Sequence, residues 1–345
     1  MDPFSLFAQT EPKLLGGFRY PLLVGLIALV VSMVLTPAVR KLAMKYGAMD
    51  DPKRDDRRVH KEPLPRWGGV AIYGGLLVAL LIILPFAYPY QPFPLYLVGI
   101  LGVGALLVVL GALDDLHQYS AKIQLLVLLA AGVAIQFFAE PNGSKVQISG
   151  ITWPLFDSSG QWIEFGFWAI PLTAFYIFVV TKTMDTIDGI DGLAAGIAAI
   201  AGATLCMIAT YGSQPRVALI SAALAGASLG FLRHNYNPAR IIMGTGGAQL
   251  LGFVLAALSI VGALKTAAAV AILVPALVFG VPLFDALQVV IRRKLSGVPI
   301  TQADKRHIHH QLLKRGLSQR QAVWLLYSIA IVLCVTLVVV VRLYG

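Results

Sequence analysis

The chain has 345 residues, of which 58% are hydrophobic and only 13% charged, with a formal net charge of +10. Soluble domains carry about a quarter charged residues, so this composition excludes a soluble globular protein, and a mean hydropathy of +0.78 agrees. The excess of Lys and Arg does not require nucleic acid, because anionic lipid or an anionic substrate accounts for it.

Apolar runs long enough to cross a bilayer core of about 30 Å recur along the chain. They predict spans near 18–39, 67–88, 94–113, 121–138, 164–182, 193–212, 216–232, 246–262, 266–290 and 322–342, about ten helices with eleven as the alternative. The first run lacks a small-residue cleavage site and leads into a basic loop, so it reads as a retained span. With the N-terminus outside, the loops at 40–66, 114–122, 182–192, 233–245 and 292–321 are cytoplasmic and hold 21 of the 27 Lys and Arg. That asymmetry follows the positive-inside rule. The expected architecture is one all-α integral membrane domain over residues 1–345, its active site built from cytoplasmic loops. Cys206 and Cys334 fall inside spans and imply no disulfide. The turn-rich external stretch 140–165 predicts a small hairpin or interfacial cap.

The polar clusters gather on the predicted cytoplasmic face. Asp114 and Asp115 stand where an apolar helix meets the interface. MDTIDGIDGL (184–193) places Asp185, Asp188 and Asp191 three residues apart at the next cytoplasmic entry. Carboxylates at that depth cost several kcal/mol unless paired, hydrated or bound to a cation. Helix capping is the alternative account for Asp191. The neighbours Asp114 and Asp115 repel, and a proton or a divalent cation relieves that. Oxygen donors without cysteine suit Mg²⁺ or Mn²⁺. In HIHH, His307, His309 and His310 are poorly spaced for tetrahedral zinc. The flanking Lys305, Arg306, Lys314 and Arg315 favour an anion such as a diphosphate. GTGG (244–247) opens a helix and reads either as a phosphate cradle or as close helix packing. A transporter would place its ionisable groups near the midplane, where this chain is almost purely apolar.

DP…RRVHKEPLPRWGG, the DD pair at 114–115, IDGIDGLA (187–194), FLRHNYNPARIIMG (231–244) and RRKLSG…ADKRHIHHQLLKRGLS occur in the order found in a known family. From about Asp51 to Ser318 the chain resembles the polyprenyl-phosphate N-acetylhexosamine-1-phosphate transferases (glycosyltransferase family 4). HIHH followed by LLKRGLS is similar to the WecA/TagO-like branch that uses UDP-N-acetylglucosamine. The resemblance implies a bacterial plasma-membrane enzyme that transfers N-acetylhexosamine 1-phosphate from a UDP-sugar to undecaprenyl phosphate and releases UMP. It implies Mg²⁺ or Mn²⁺ as cofactor, and membrane lipid and a homodimer as partners. By resemblance, Asp114, Asp115, Asp188, His307, His309 and His310 are catalytic, and Asp115 and Asp188 ligate the metal. Lys61, Arg66, Asp191, Asn235 and Arg306 bind substrate.

The chain departs from the family at two places. Members usually read FMGD before the eighth helix, with that aspartate on magnesium; here Thr245 replaces it, and Ile242 stands where an aromatic residue usually meets the uracil. Lys182 and Asp185 replace two asparagines before the IDG motif. One acid is lost and another gained, so Asp185 is expected to complete the metal shell in place of residue 245. The rival readings are an inactive scaffold or lipid-phosphate binder of the same fold, a muramoyl-pentapeptide phosphotransferase, and a transporter.

Overall fold

A computed structural model describes residues 16–52, 60, 62–89, 93–141, 143–153, 161–263, 278–295 and 307–344. In chain order the helices are α1 (Arg19–Tyr46), α2 (Gly68–Ala87), α3 (Leu95–His117), α4 (Ala121–Ala134), α5 (Ala169–Ile187), α6 (Leu193–Tyr211), α7 (Pro215–Asn235) and α8 (Gly244–Ala263). Then come α9 (Gly280–Leu295), the short α10 (Ile308–Lys314) and α11 (Gln319–Tyr344). Their limits follow from local chemistry. Gly47 adopts φ 73° and returns its N–H to the carbonyls of Ala43 and Met44, closing α1. Pro215 opens α7, where its missing N–H costs no helical bond.

Among the described residues, eight helices are long and apolar enough to cross a membrane, and the chain is a multi-pass membrane protein. Two of the expected spans are not among these eight. The run at 121–138 forms a shorter apolar helix, Ala121–Phe137. Residues 264–277 of the run at 266–290 lie outside the described residues, and its end belongs to α9. The expected hairpin is present as β3 (Gly150–Trp153) paired antiparallel with β4 (Gln161–Glu164), Gly150 opposite Glu164. An unexpected second pair joins β1 (Met49–Asp50) to β2 (Leu64–Pro65).

The helix α8 sits at the centre against α2, α3, α5 and α6, while α7 lies between α1 and α6. Burial is nearly complete around α6, α7 and α8, whereas α1 and α11 expose Leu22, Leu26, Val34, Val332, Val335 and Val339. Such outward apolar stripes are what lipid-facing helices carry, and small residues allow the inner helices to close up. A Cβ on Gly111 would collide with the Gly246 backbone, and one on Gly69 with Gly247. The GTGG segment therefore serves helix packing, the second of its two readings.

That packing brings several chain ends together. Arg66 N–H donates to the Ala48 carbonyl, Ile242 N–H to Pro65, and Gly69 N–H to Met243, each at 2.9 Å. The β1–β2 ladder, the start of α2 and the start of α8 are thus laced beside the end of α3, where the acids lie.

Candidate functional site

The centre of the site is Asp115, buried at the end of α3. Its Oδ1 accepts the Thr245 N–H at 3.1 Å and lies 3.3 Å from Arg66 Nε. The N-terminal end of α8 carries the positive end of a helix dipole, and here it is given to a carboxylate of the protein itself. Oδ2 of Asp115 is buried with no hydrogen-bond partner. It abuts Gly244, whose φ of 76° starts α8 and whose position leaves no room for a Cβ. Arg66 is aimed from the other side. Trp67, in a left-handed conformation at φ 79°, donates its indole N–H to the Ala112 carbonyl at 3.1 Å. Behind Arg66 stands the buried Asp50, whose Oδ1 is 3.7 Å from Arg66 Nε and whose Oδ2 is 3.2 Å from His60 Nε2.

Asp188 caps the C-terminal end of α5 and is partly buried. Desolvation pushes its carboxyl well above the usual carboxylate range, the charge of Asp185 adds to that, and Asp115 and Asp191 act in the same direction; Arg66 opposes them. The structure therefore brings Asp115, Asp185, Asp191 and Arg66 within electrostatic reach of Asp188. It gives Asp185, expected as a metal ligand, a different partner: Lys182 Nζ sits 2.5 Å from its Oδ2.

Asp114 points the other way from its neighbour. Its Oδ1 accepts the Tyr119 N–H at 2.8 Å and its Oδ2 the Gln124 side-chain amide at 3.1 Å. Asp191 does not cap α6, which starts after Gly192 without a side-chain cap. Its Oδ2 instead accepts from the Asn237 side chain at 2.9 Å and the Ala239 N–H at 3.1 Å. Asn235, expected to bind substrate, is buried with both polar ends engaged: Oδ1 accepts the Gly192 N–H at 3.1 Å and Nδ2 donates to the Ile241 carbonyl at 3.0 Å. It clamps the IDGIDG turn to the 236–241 loop and does not open into the site.

The histidine segment is anchored by a residue the sequence reading missed. Asp285, buried in α9, accepts His307 Nδ1–H at 2.8 Å and the Ile308 N–H at 2.7 Å. An imidazole held at Nδ1 by a carboxylate has a fixed tautomer and ring plane. Helix α9 packs against α5, the helix that ends at Asp188. His310 is partly buried on α10. Lys61, Arg306 and the His309 side chain lie outside the described residues. A signal for Asp285 was available: a lone acid inside an apolar run is a functional flag in a membrane chain. Asp50 immediately precedes the DP…RRVHKEPLPRWGG motif.

The donor set fits a hard divalent cation. Asp115 Oδ2 is an anionic oxygen buried without a partner, and Asp188 stands among like charges that a cation would relieve. Among the described residues, no three ligating side chains form a cage. This suits Mg²⁺, which commonly takes one or two carboxylates and leaves its other positions to water and substrate phosphates.

Residues 97–263 match the family model described as glycosyl transferase family 4. The chain is 35% identical to the probable undecaprenyl-phosphate N-acetylglucosaminyl 1-phosphate transferase of Bacillus subtilis (strain 168), an alignment covering 91% of this chain and 83% of that protein. It is 33% identical to the decaprenyl-phosphate N-acetylglucosaminephosphotransferase of Mycolicibacterium smegmatis, over 95% and 84% of the two chains. Against the undecaprenyl-phosphate alpha-N-acetylglucosaminyl 1-phosphate transferase of Escherichia coli (strain K12) the identity is 27%, over 82% and 74%.

Proposed function

From the premise that the chain belongs to glycosyl transferase family 4, we propose that it transfers N-acetylglucosamine 1-phosphate from UDP-N-acetylglucosamine to undecaprenyl phosphate. UMP is released, and the product opens the synthesis of a cell-wall or envelope polymer. The observation that carries this reading is the convergence of Asp115, Asp188 and Arg66 from three separate segments. The names of the relatives support the acceptor and the sugar. The apolar runs support about ten spans, and the placement of Lys and Arg supports an outside N-terminus and a cytoplasmic active face in a bacterial plasma membrane.

In the transfer, an oxygen of the lipid phosphate bonds to the β-phosphorus of the UDP-sugar. The bridging P–O bond breaks, and its electron pair leaves with UMP. Asp114 retains unused lone pairs beyond its two hydrogen bonds and would position the lipid phosphate or take its proton. Mg²⁺, held by Asp115 and Asp188, would neutralise charge on the diphosphate and the leaving UMP. Arg66 supplies fixed positive charge beside them. His307, oriented by Asp285, would donate to the diphosphate, with His309, His310, Arg306 and Lys61 as further phosphate contacts. Asp185 is paired with Lys182, so the proposed shell is built on Asp115 and Asp188.

The test uses purified full-length protein, radiolabelled UDP-N-acetylglucosamine and undecaprenyl phosphate, with and without Mg²⁺. Labelled lipid and UMP appearing together support the transferase. Binding of both substrates without UMP release overturns it in favour of a lipid-phosphate binder, the reading that Thr245 favours. Asp115→Asn should lower turnover by about 10²–10⁴-fold. Mg²⁺ should raise the melting temperature of the wild type and not that of Asp188→Asn.

A further inference from the structure

Four side chains on three helices form one hydrogen-bonded series beside the site. Asp185 Oδ2 accepts from Lys182 Nζ at 2.5 Å. The same ammonium donates to Gln124 Oε1 at 3.1 Å, and Gln124 Nε2 donates to Asp114 Oδ2 at 3.1 Å. The direction of the series is forced by chemistry. An ammonium only donates and an ionised carboxylate only accepts, so Gln124 must turn its carbonyl to Lys182 and its NH₂ to Asp114. The flipped amide would set oxygen against carboxylate and NH₂ against ammonium. Asp114 and Lys182 therefore demand the same amide orientation, and Lys182 fixes the far end of the Gln124 side chain whose NH₂ meets Asp114.

We propose that Lys182 is a positioning residue for Asp114, acting through Gln124 and held in place by Asp185. Taken alone, Lys182 and Asp185 are an i,i+3 pair of the kind that adds a few tenths of a kcal/mol to a helix. The link to Gln124 gives the pair a second consequence. It carries the orientation of α5 to α4 and then to the carboxylate at the end of α3. With the Tyr119 N–H on its other oxygen at 2.8 Å, Asp114 is held in one rotamer with a donor on each oxygen. The inference rests on the transferase reading, because Asp114 needs a fixed orientation only if a phosphate must meet it.

The Lys182 side chain is 37% exposed, so its removal leaves no cavity in the core. Wild type, Lys182→Met, Lys182→Arg, Gln124→Met and the Lys182→Met, Gln124→Met double variant are compared in the transfer assay, each with a melting curve. Lys182→Met and Gln124→Met should each lower kcat about tenfold, less than loss of an acid–base group itself, and leave KM for the UDP-sugar unchanged. The double variant should lose no more than the worse single one, because both act on one series. Lys182→Arg, which keeps the donors, should retain most of the rate. Additive losses, a raised KM for the UDP-sugar with unchanged kcat, or wild-type turnover in Lys182→Met overturns the inference. A wild type that turns nothing over overturns the transferase reading and this role together, whereas an active wild type with additive losses or an unaffected Lys182→Met overturns this role alone.

Discussion

Two buried carboxylates at this end of the molecule are treated in opposite ways. Asp285 is fully satisfied, with an imidazole N–H on one oxygen and a backbone N–H on the other. Asp115 has one oxygen crowded by Arg66 and Thr245 and the other buried with no partner, and Asp188 stands near it among like charges. A protein that only needed to seal a helix end would finish the second arrangement as it finished the first. The difference separates supporting groups from reacting ones: Asp285, Asp191 and Asn235 hold loops, while Asp115 and Asp188 keep unmet electrostatic demand for something that arrives.

The largest effect on stability is expected at the satisfied carboxylate. Asp285→Ala removes a carboxylate partner of a partly buried imidazole and of the first N–H of α10. It should cost about 3 kcal/mol, as removal of one member of a buried polar pair does. A melting curve within error of the wild type would break the contrast, because Asp285 would then hold nothing. The next effect is at Gly244. Alanine there meets both the left-handed φ of 76° and the Asp115 carboxylate, for a cost of about 2 kcal/mol. Gly316 shares the positive φ, at 91°, but faces open space. Gly316→Ala therefore measures backbone strain alone, about 1 kcal/mol, and the excess at Gly244 measures the crowding of Asp115. Equal losses at the two positions would mean that Asp115 can step aside, and the description of its site as tightly built would fail.

Most of the scaffold was legible because lipid-facing helices must be apolar and continuous, and hairpins must turn. Eight of the runs became full-length helices, and 140–165 became β3–β4. What escaped were contacts between positions remote in sequence. Nothing near Asn235 reveals that its amide clamps Gly192, 43 residues away, so its polarity suggested a ligand. Asp285 was absorbed into an apolar run because one acid hardly changes a window average, although a buried acid in such a run must have a partner. The pairing of Lys182 with Asp185 was readable from their i,i+3 spacing, yet reading each as a departure from the family hid that they neutralise one another. The GTGG segment shows the converse limit, since its two readings differ only in what the neighbouring helix brings, here Gly69 and Gly111.

The smallest expected effect tests the contrast from the side of Asp188, and its sign is unusual for an acid. The folded state raises this carboxyl above its unfolded value, so it binds the proton more tightly than the unfolded chain does. Its contribution to stability is complete below the ordinary carboxylate pKa of about 4 and is lost as pH rises through the folded-state value. In metal-free buffer the wild type should melt at progressively lower temperature across that window. Asp188→Asn has no proton to lose at this position and should show a smaller decline. The variant should match the wild type in acid and exceed it at neutral pH, while losing transfer activity. Gained stability with lost function is the signature of a group kept for its chemistry at a cost in stability. Parallel melting curves for the two proteins across the whole pH range would instead make Asp188 an ordinary helix cap, and the contrast with Asp285 would rest on Asp115 alone.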